Sequence, residues 1–85
     1  MYYTYVLHSQ KDGRYYAGFS EDLRKRIEAH MSGKVSATKH RLPVRLIFYE
    51  AYLNKHDALR RERYFKTSKG KMSLRTMLKG TLGEL

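Results

Sequence analysis

Two short runs of aromatic and aliphatic side chains, separated by Asp12-Gly13, constrain this chain more than any other feature. Residues 2–7 mix aromatic and β-branched types and read as a strand. Asp-Gly is a turn signal, and residues 14–19 read as the returning strand of a hairpin. The loop length then decides where two tyrosines stand. A loop of two or four residues puts Tyr5 and Tyr16 on one face of the sheet. The four-residue loop over 10–13 makes them diagonal neighbours, roughly 7–8 Å apart. A three-residue loop sends them to opposite faces.

The remainder divides at clear signals. Ser20 reads as an N-cap, with Glu21 and Asp22 in a first turn where the helix dipole favours acid. Leu23, Ile27 and His30 follow at helical spacing, and Gly33 ends that helix. Residues 33–41 form a basic, polar loop that closes near Pro43. Residues 44–53 are a third strand. Asn54 caps a second helix, with Asp57 three residues on as a variant capping box. Ala58, Leu59, Glu62 and Phe65 form one face of it, and Gly70 is expected to stop it. Residues 73–79 read as a short third helix, and 80–85 as a fraying tail. The order β-β-α-β-α-α defines an α+β fold. No internal repeat interrupts it.

Eighty-five residues suffice for one domain, 1–85, with an ordered core over about 2–79. A hydrophobic fraction of 41% suits a globular chain rather than a disordered one. No apolar run approaches the roughly 20 residues of a membrane helix, and the N-terminus lacks the pattern of a signal peptide. The chain has no cysteine, which excludes a disulfide scaffold, a Cys-zinc site and thiol catalysis, and fits a cytoplasmic protein.

Charge narrows the partners. Eighteen Lys and Arg against eight Asp and Glu leave a formal net charge of +10. Solubility needs far less, so a polyanion is implied, most simply nucleic acid. A basic protein with no nucleic-acid role, such as one bound to a membrane surface, carries the same sign.

Three groups of residues are candidates for chemistry. Cross-strand aromatic packing accounts for Tyr5 and Tyr16 as well as any functional role does. Arg26 and His30 are four apart and share a helical stripe. A snorkelling Arg beside a half-buried His is the simpler reading of them. Glu62 is the sharpest anomaly. Residues 60–79 carry eight basic side chains and this single acid, which falls on the face of Ala58 and Phe65. Burying a carboxylate there is costly unless it binds a metal or pairs with a buried Arg, and the sequence leaves both open. Four His without paired spacing argue against zinc. A single Gly in Tyr16-Ala17-Gly18 argues against a phosphate loop. No spacing singles out a Ser-His-acid triad.

These residues also form a recognisable set. Tyr3-Thr4-Tyr5 and Tyr16-Ala17-Gly18 resemble the paired signature of the GIY-YIG nuclease superfamily. Residues 22–30 are similar to its first helix, and Ala58-Leu59-Arg60-Arg61-Glu62 to the segment with its metal-binding Glu. Gly33-Lys34 and Thr38-Lys39 resemble the connecting loop of its small stand-alone bacterial branch. That branch is similar to the N-terminal catalytic domain of the bacterial excinuclease. The likeness runs over about 2–79. It departs at Tyr3, where the signature has Gly, and at Ala17, where it has Ile.

The resemblance implies a three-stranded antiparallel sheet flanked by helices. It implies an endonuclease that hydrolyses DNA phosphodiester bonds with one Mg²⁺ or Mn²⁺, in repair or recombination. Glu62 would hold the metal, and Arg26 would brace the non-bridging oxygens. Tyr5 or Tyr16 would take the proton of the attacking water. A phenol is a poor base at neutral pH, so neighbouring cations are expected to lower its pKa. His30 would hydrogen-bond a tyrosine or move a proton. Lys34, Lys39 and Arg41 would touch the DNA backbone. The alternative from another class is a nucleic-acid-binding module of the same fold without catalysis, and the retention of Arg26 and Glu62 favours the enzyme. An adaptor for an acidic protein needs only the charge and explains none of the motifs.

Overall fold

A computed structural model describes residues 1–85. The N-terminal hairpin pairs β1 (Tyr2–Ser9) with β2 (Tyr15–Ser20), antiparallel. The turn between them is closed by backbone bonds from Ser9 N–H to Arg14 and from Gly13 N–H to Ser9. The loop is therefore the four-residue one. Tyr5 stands opposite Gly18 and Leu7 opposite Tyr16, so the two tyrosines are diagonal neighbours on one face.

A third strand, β3 (Val44–Tyr52), pairs antiparallel with the other side of β1, giving the order β2-β1-β3. The register slips by one residue between Val6 and Leu7, with Ile47 as the extra residue of a bulge. β1 is thus the central strand and is buried on both faces. Tyr5 and Leu7 join Ile27 and Val44 in one apolar cluster. Val6 joins Ala17, Phe65, Leu74 and Leu78 in the other.

Helix α1 (Leu23–Met31) covers the first face, and α2 (Lys55–Phe65) with α3 (Ser68–Met77) covers the second. The expected three-stranded α+β architecture is present, and its helix boundaries differ in three places. Asp22, not Ser20, caps α1, accepting from Lys25 N–H. Ser20 instead accepts from the Asp22 N–H, a local turn that holds the cap in place.

Asn54 caps α2 as expected, accepting from His56 and Asp57 N–H. Gly70, however, does not stop that helix. α2 ends at Phe65, and Thr67 caps α3 by accepting from Gly70 N–H. Gly70 lies inside α3 because a Cβ there would collide with the Tyr64 carbonyl group. It marks a close crossing of backbones rather than an end. The tail also has structure of its own: α4 (Lys79–Gly83) continues from Leu78, and Leu82 packs against the second cluster.

Candidate active site

The diagonal tyrosines place the centre of the site. The Tyr5 ring lies across β2 at Gly18 and is fully buried. Helix α1 brings His30 to it: Tyr5 Oη and His30 Nε2 are 2.7 Å apart. On the other edge of the imidazole, Nδ1 is 2.7 Å from Thr38 Oγ1. One turn earlier on α1, Arg26 donates from Nε to Tyr5 Oη at 3.4 Å. The Tyr16 ring packs 6.4 Å from Tyr5 and 5.2 Å from His30, centre to centre. Unlike Tyr5 it is only partly buried.

Burial drives the electrostatics. It pushes the His30 pKa down to about 4, with the Arg26 charge adding to the effect. A neutral imidazole has one donor and one acceptor. We assign Nε2 as acceptor from the Tyr5 hydroxyl, which already accepts from Arg26, and Nδ1–H as donor to Thr38. The Tyr5 pKa is raised, first by burial, and the Arg26 hydrogen bond opposes this only in part. The expectation that cations lower the pKa of the acting tyrosine therefore fails for Tyr5. Arg26 holds its proton more tightly than usual, chiefly because Tyr5 accepts from it, with smaller contributions from Tyr16.

The second helix completes the group. Lys66 Nζ lies 5.9 Å from the centre of the Tyr16 ring and 3.3 Å from Glu62 Oε2. The Glu62 carboxylate also acts electrostatically on Tyr5. Its side chain is 18% exposed and its one cationic partner, Lys66, is 51% exposed. The buried Arg partner that the sequence allowed is absent. The nearby Arg61 is tied instead to Glu50 at 2.8 Å and stacks over Phe65 at 4.4 Å.

Five of the eight expected site residues are thus one group: Tyr5, Tyr16, Arg26, His30 and Glu62. Lys34 and Lys39 are exposed on the loop after α1, away from hydrogen-bonded partners of their side chains. Arg41 lies elsewhere, against the hairpin turn, with its Nε 2.9 Å from Asp12. Three contributors were not anticipated as site residues. Thr38 fixes the His30 tautomer, Gly18 makes room for Tyr5, and Lys66 joins Glu62 to Tyr16. The Gly18 signal was available, because a Gly facing a large aromatic across a strand pair marks close approach.

Metal capacity is limited to one carboxylate. No three His, Cys, Asp or Glu side chains are grouped to cage an ion. Mg²⁺ does not require such a cage. It binds through one or two carboxylates together with waters and substrate phosphate. Glu62, largely covered and with a single surface Lys as partner, suits that donor set.

The three-stranded sheet with its helices is that of a nuclease-type catalytic domain. A family model described as the GIY-YIG catalytic domain matches residues 1–75, and the chain belongs to that family. Among its relatives, a UPF0213 protein of Lacticaseibacillus paracasei is 47% identical over 66 residues, covering 76% of this chain and 73% of that protein. A UPF0213 protein of Streptococcus pneumoniae is 43% identical over 68 residues, covering 79% and 68%. The solution NMR structure of a UPF0213 protein from Bacillus halodurans matches with a TM-score of 0.57 and 34% identity, over 91% of this chain and 85% of that one.

Proposed function

We propose that the chain is a divalent-metal-dependent endonuclease that hydrolyses DNA phosphodiester bonds. The observation that carries this reading is the convergence of Arg26, Tyr5, His30, Tyr16, Lys66 and Glu62, from both faces of the sheet, on the β2 edge. A purely structural aromatic cluster needs neither the guanidinium nor the carboxylate.

The burial pattern divides the labour. Tyr5 is enclosed and held protonated, so it is a positioning residue: its hydroxyl accepts from Arg26 while His30 anchors it. Tyr16 is the tyrosine that reaches solvent, and its oxygen, in the phenolate form, is the group to accept a proton from the attacking water. Arg26, oriented by Tyr5, stabilises the non-bridging oxygens as charge builds on them. Glu62 would hold the metal ion, Mg²⁺ or Mn²⁺. When bound, such an ion neutralises charge at the departing oxygen.

The test is incubation with supercoiled, linear, branched and single-stranded DNA, with Mg²⁺, with Mn²⁺ or with chelator. Cleavage of at least one form, abolished by chelator, is the expected result. DNA binding without cleavage under all conditions would replace the enzyme with a binding module. The excinuclease likeness makes repair or recombination the setting proposed for it, in the cytoplasm. No helix is long and apolar enough to cross a membrane.

A further inference from the structure

Four cations from three separate parts of the chain face one cleft outside the catalytic group. Arg14 comes from the end of the hairpin turn, Arg41 from the loop before β3, and Lys71 and Arg75 from successive turns of α3. The cleft holds about 480 Å³ and has Tyr15 on its wall. It contains one carboxylate, Asp12, and that group is already used. The Arg14 backbone N–H and then the Arg41 side chain hold its pKa down to about 2, and it fixes the Arg41 head group at 2.9 Å. The charged ends of Arg14, Lys71 and Arg75 have no acceptor anywhere in the chain.

Convergence of unpaired like charges in a concavity is unfavourable unless an anion joins them. The cleft is also connected to the catalytic group. A smaller cavity of about 130 Å³ shares Tyr15 and Lys71 with it and is lined also by Tyr16 and Lys66. Lys66, Lys71 and Arg75 thus line two adjoining cavities on the α2–α3 side of the sheet.

We propose that this cleft is a second phosphate subsite. It takes the phosphodiester backbone of the nucleic acid to one side of the bond at Tyr16, with Arg14, Lys71 and Arg75 as its contacts and Arg41 held ready by Asp12. This rests on the nuclease reading of the Tyr16 site and gives the substrate a direction across it. It also moves the main backbone contacts away from Lys34 and Lys39, whose loop offers no comparable concavity.

The experiment compares Lys71→Ala/Arg75→Ala with Lys34→Ala/Lys39→Ala and the wild type. The probe is a fluorescein-labelled DNA duplex, bound without divalent metal across a salt series. Loss of the cleft cations should weaken binding on the order of tenfold and reduce the slope of log affinity against log salt by about 1–2. The loop variant should do much less. In cleavage, the cleft variant should raise KM with kcat at saturating DNA unchanged. The exchange Lys71→Arg/Arg75→Lys, which keeps the charges, should restore binding and exclude misfolding as the cause.

Wild-type affinity and slope in the cleft variant would overturn the subsite while leaving a cleaving wild-type enzyme intact. The same holds if the loop variant takes the whole salt dependence. A wild type that binds with steep salt dependence and never cleaves would end the nuclease reading alone, with the cleft still tested by binding. Absence of salt-dependent binding by the wild type would overturn the cleft too.

Discussion

Gly18 exists to make room for Tyr5. A Cβ on residue 18 would overlap both Tyr5 Cζ and Oη, far inside van der Waals contact. The ring cannot retreat, because Tyr5 is fully buried and its hydroxyl is bonded to His30 at 2.7 Å. Gly18→Ala should therefore cost about 1–3 kcal/mol of stability, as overpacking does. It should also break the Tyr5–His30 bond and with it the seat of Arg26. Urea denaturation gives the first quantity and a cleavage assay the second. A Gly18→Ala protein with wild-type melting and activity would remove Tyr5 from the positioning role.

His30 makes stability depend on pH in a definite direction. Folded, it stays neutral down to about pH 4; unfolded, it takes up a proton near its ordinary value of 6.5. Between those values the unfolded chain binds the extra proton, so stability is complete above about pH 6.5 and falls toward pH 4. The slope from this group is at most about 1.4 kcal/mol per pH unit. His30→Gln can accept from Tyr5 and donate to Thr38 without titrating. The stability difference between wild type and variant should shift in this window and be flat above it. Parallel curves from pH 7 to about 4 would show that His30 is not held neutral.

How much of this was visible beforehand follows from how far each interaction reaches along the chain. The tyrosine pair was legible because hairpin parity depends only on loop length, and Ser9 to Arg14 closes a four-residue loop. Asn54 was legible because a cap acts within three residues. Thr38 was not, since its bond to His30 arises only when the loop after α1 folds back on that helix. Gly70 misled because a helix stop and a close helix crossing call for the same residue. The buried-Arg reading of Glu62 needed a structure to exclude it, for only the fold reveals that Arg61 turns to Glu50 and leaves Lys66 as the partner.

Arg26 is expected to separate chemistry from folding. Its head group is only partly buried, and Tyr5 keeps its bond to His30 when Arg26 is removed. Arg26→Ala should change stability by about 1 kcal/mol or less. Cleavage should fall on the order of 10²–10³-fold at saturating DNA, the usual effect of losing a donor to a transition-state oxyanion. Arg26→Lys should not restore it, since a point charge lacks the fork that contacts Tyr5 and phosphate together. Full activity in either variant would take Arg26 out of the mechanism. Collapse of the fold in Arg26→Ala would make it structural.

Glu62 gives the most discriminating test of the metal. Removing one partner of a buried ion pair strands the other and costs several kcal/mol. That is not the situation here, because the Glu62 partner is Lys66, half exposed and free to turn to water. Glu62→Gln keeps the size and the hydrogen-bonding capacity of the side chain and removes its charge. Melting should move little, in line with the roughly 0–1 kcal/mol typical of pairs at a surface. DNA binding should hold or tighten, since a negative charge beside the phosphates is gone. Cleavage should disappear, and raising Mg²⁺ or Mn²⁺ should recover only part of it if water and substrate phosphate hold the ion weakly without the carboxylate. A folded Glu62→Gln protein that cuts DNA at the wild-type metal concentration would exclude Glu62 as the ligand, and the carboxylate would then be no more than a surface partner of Lys66.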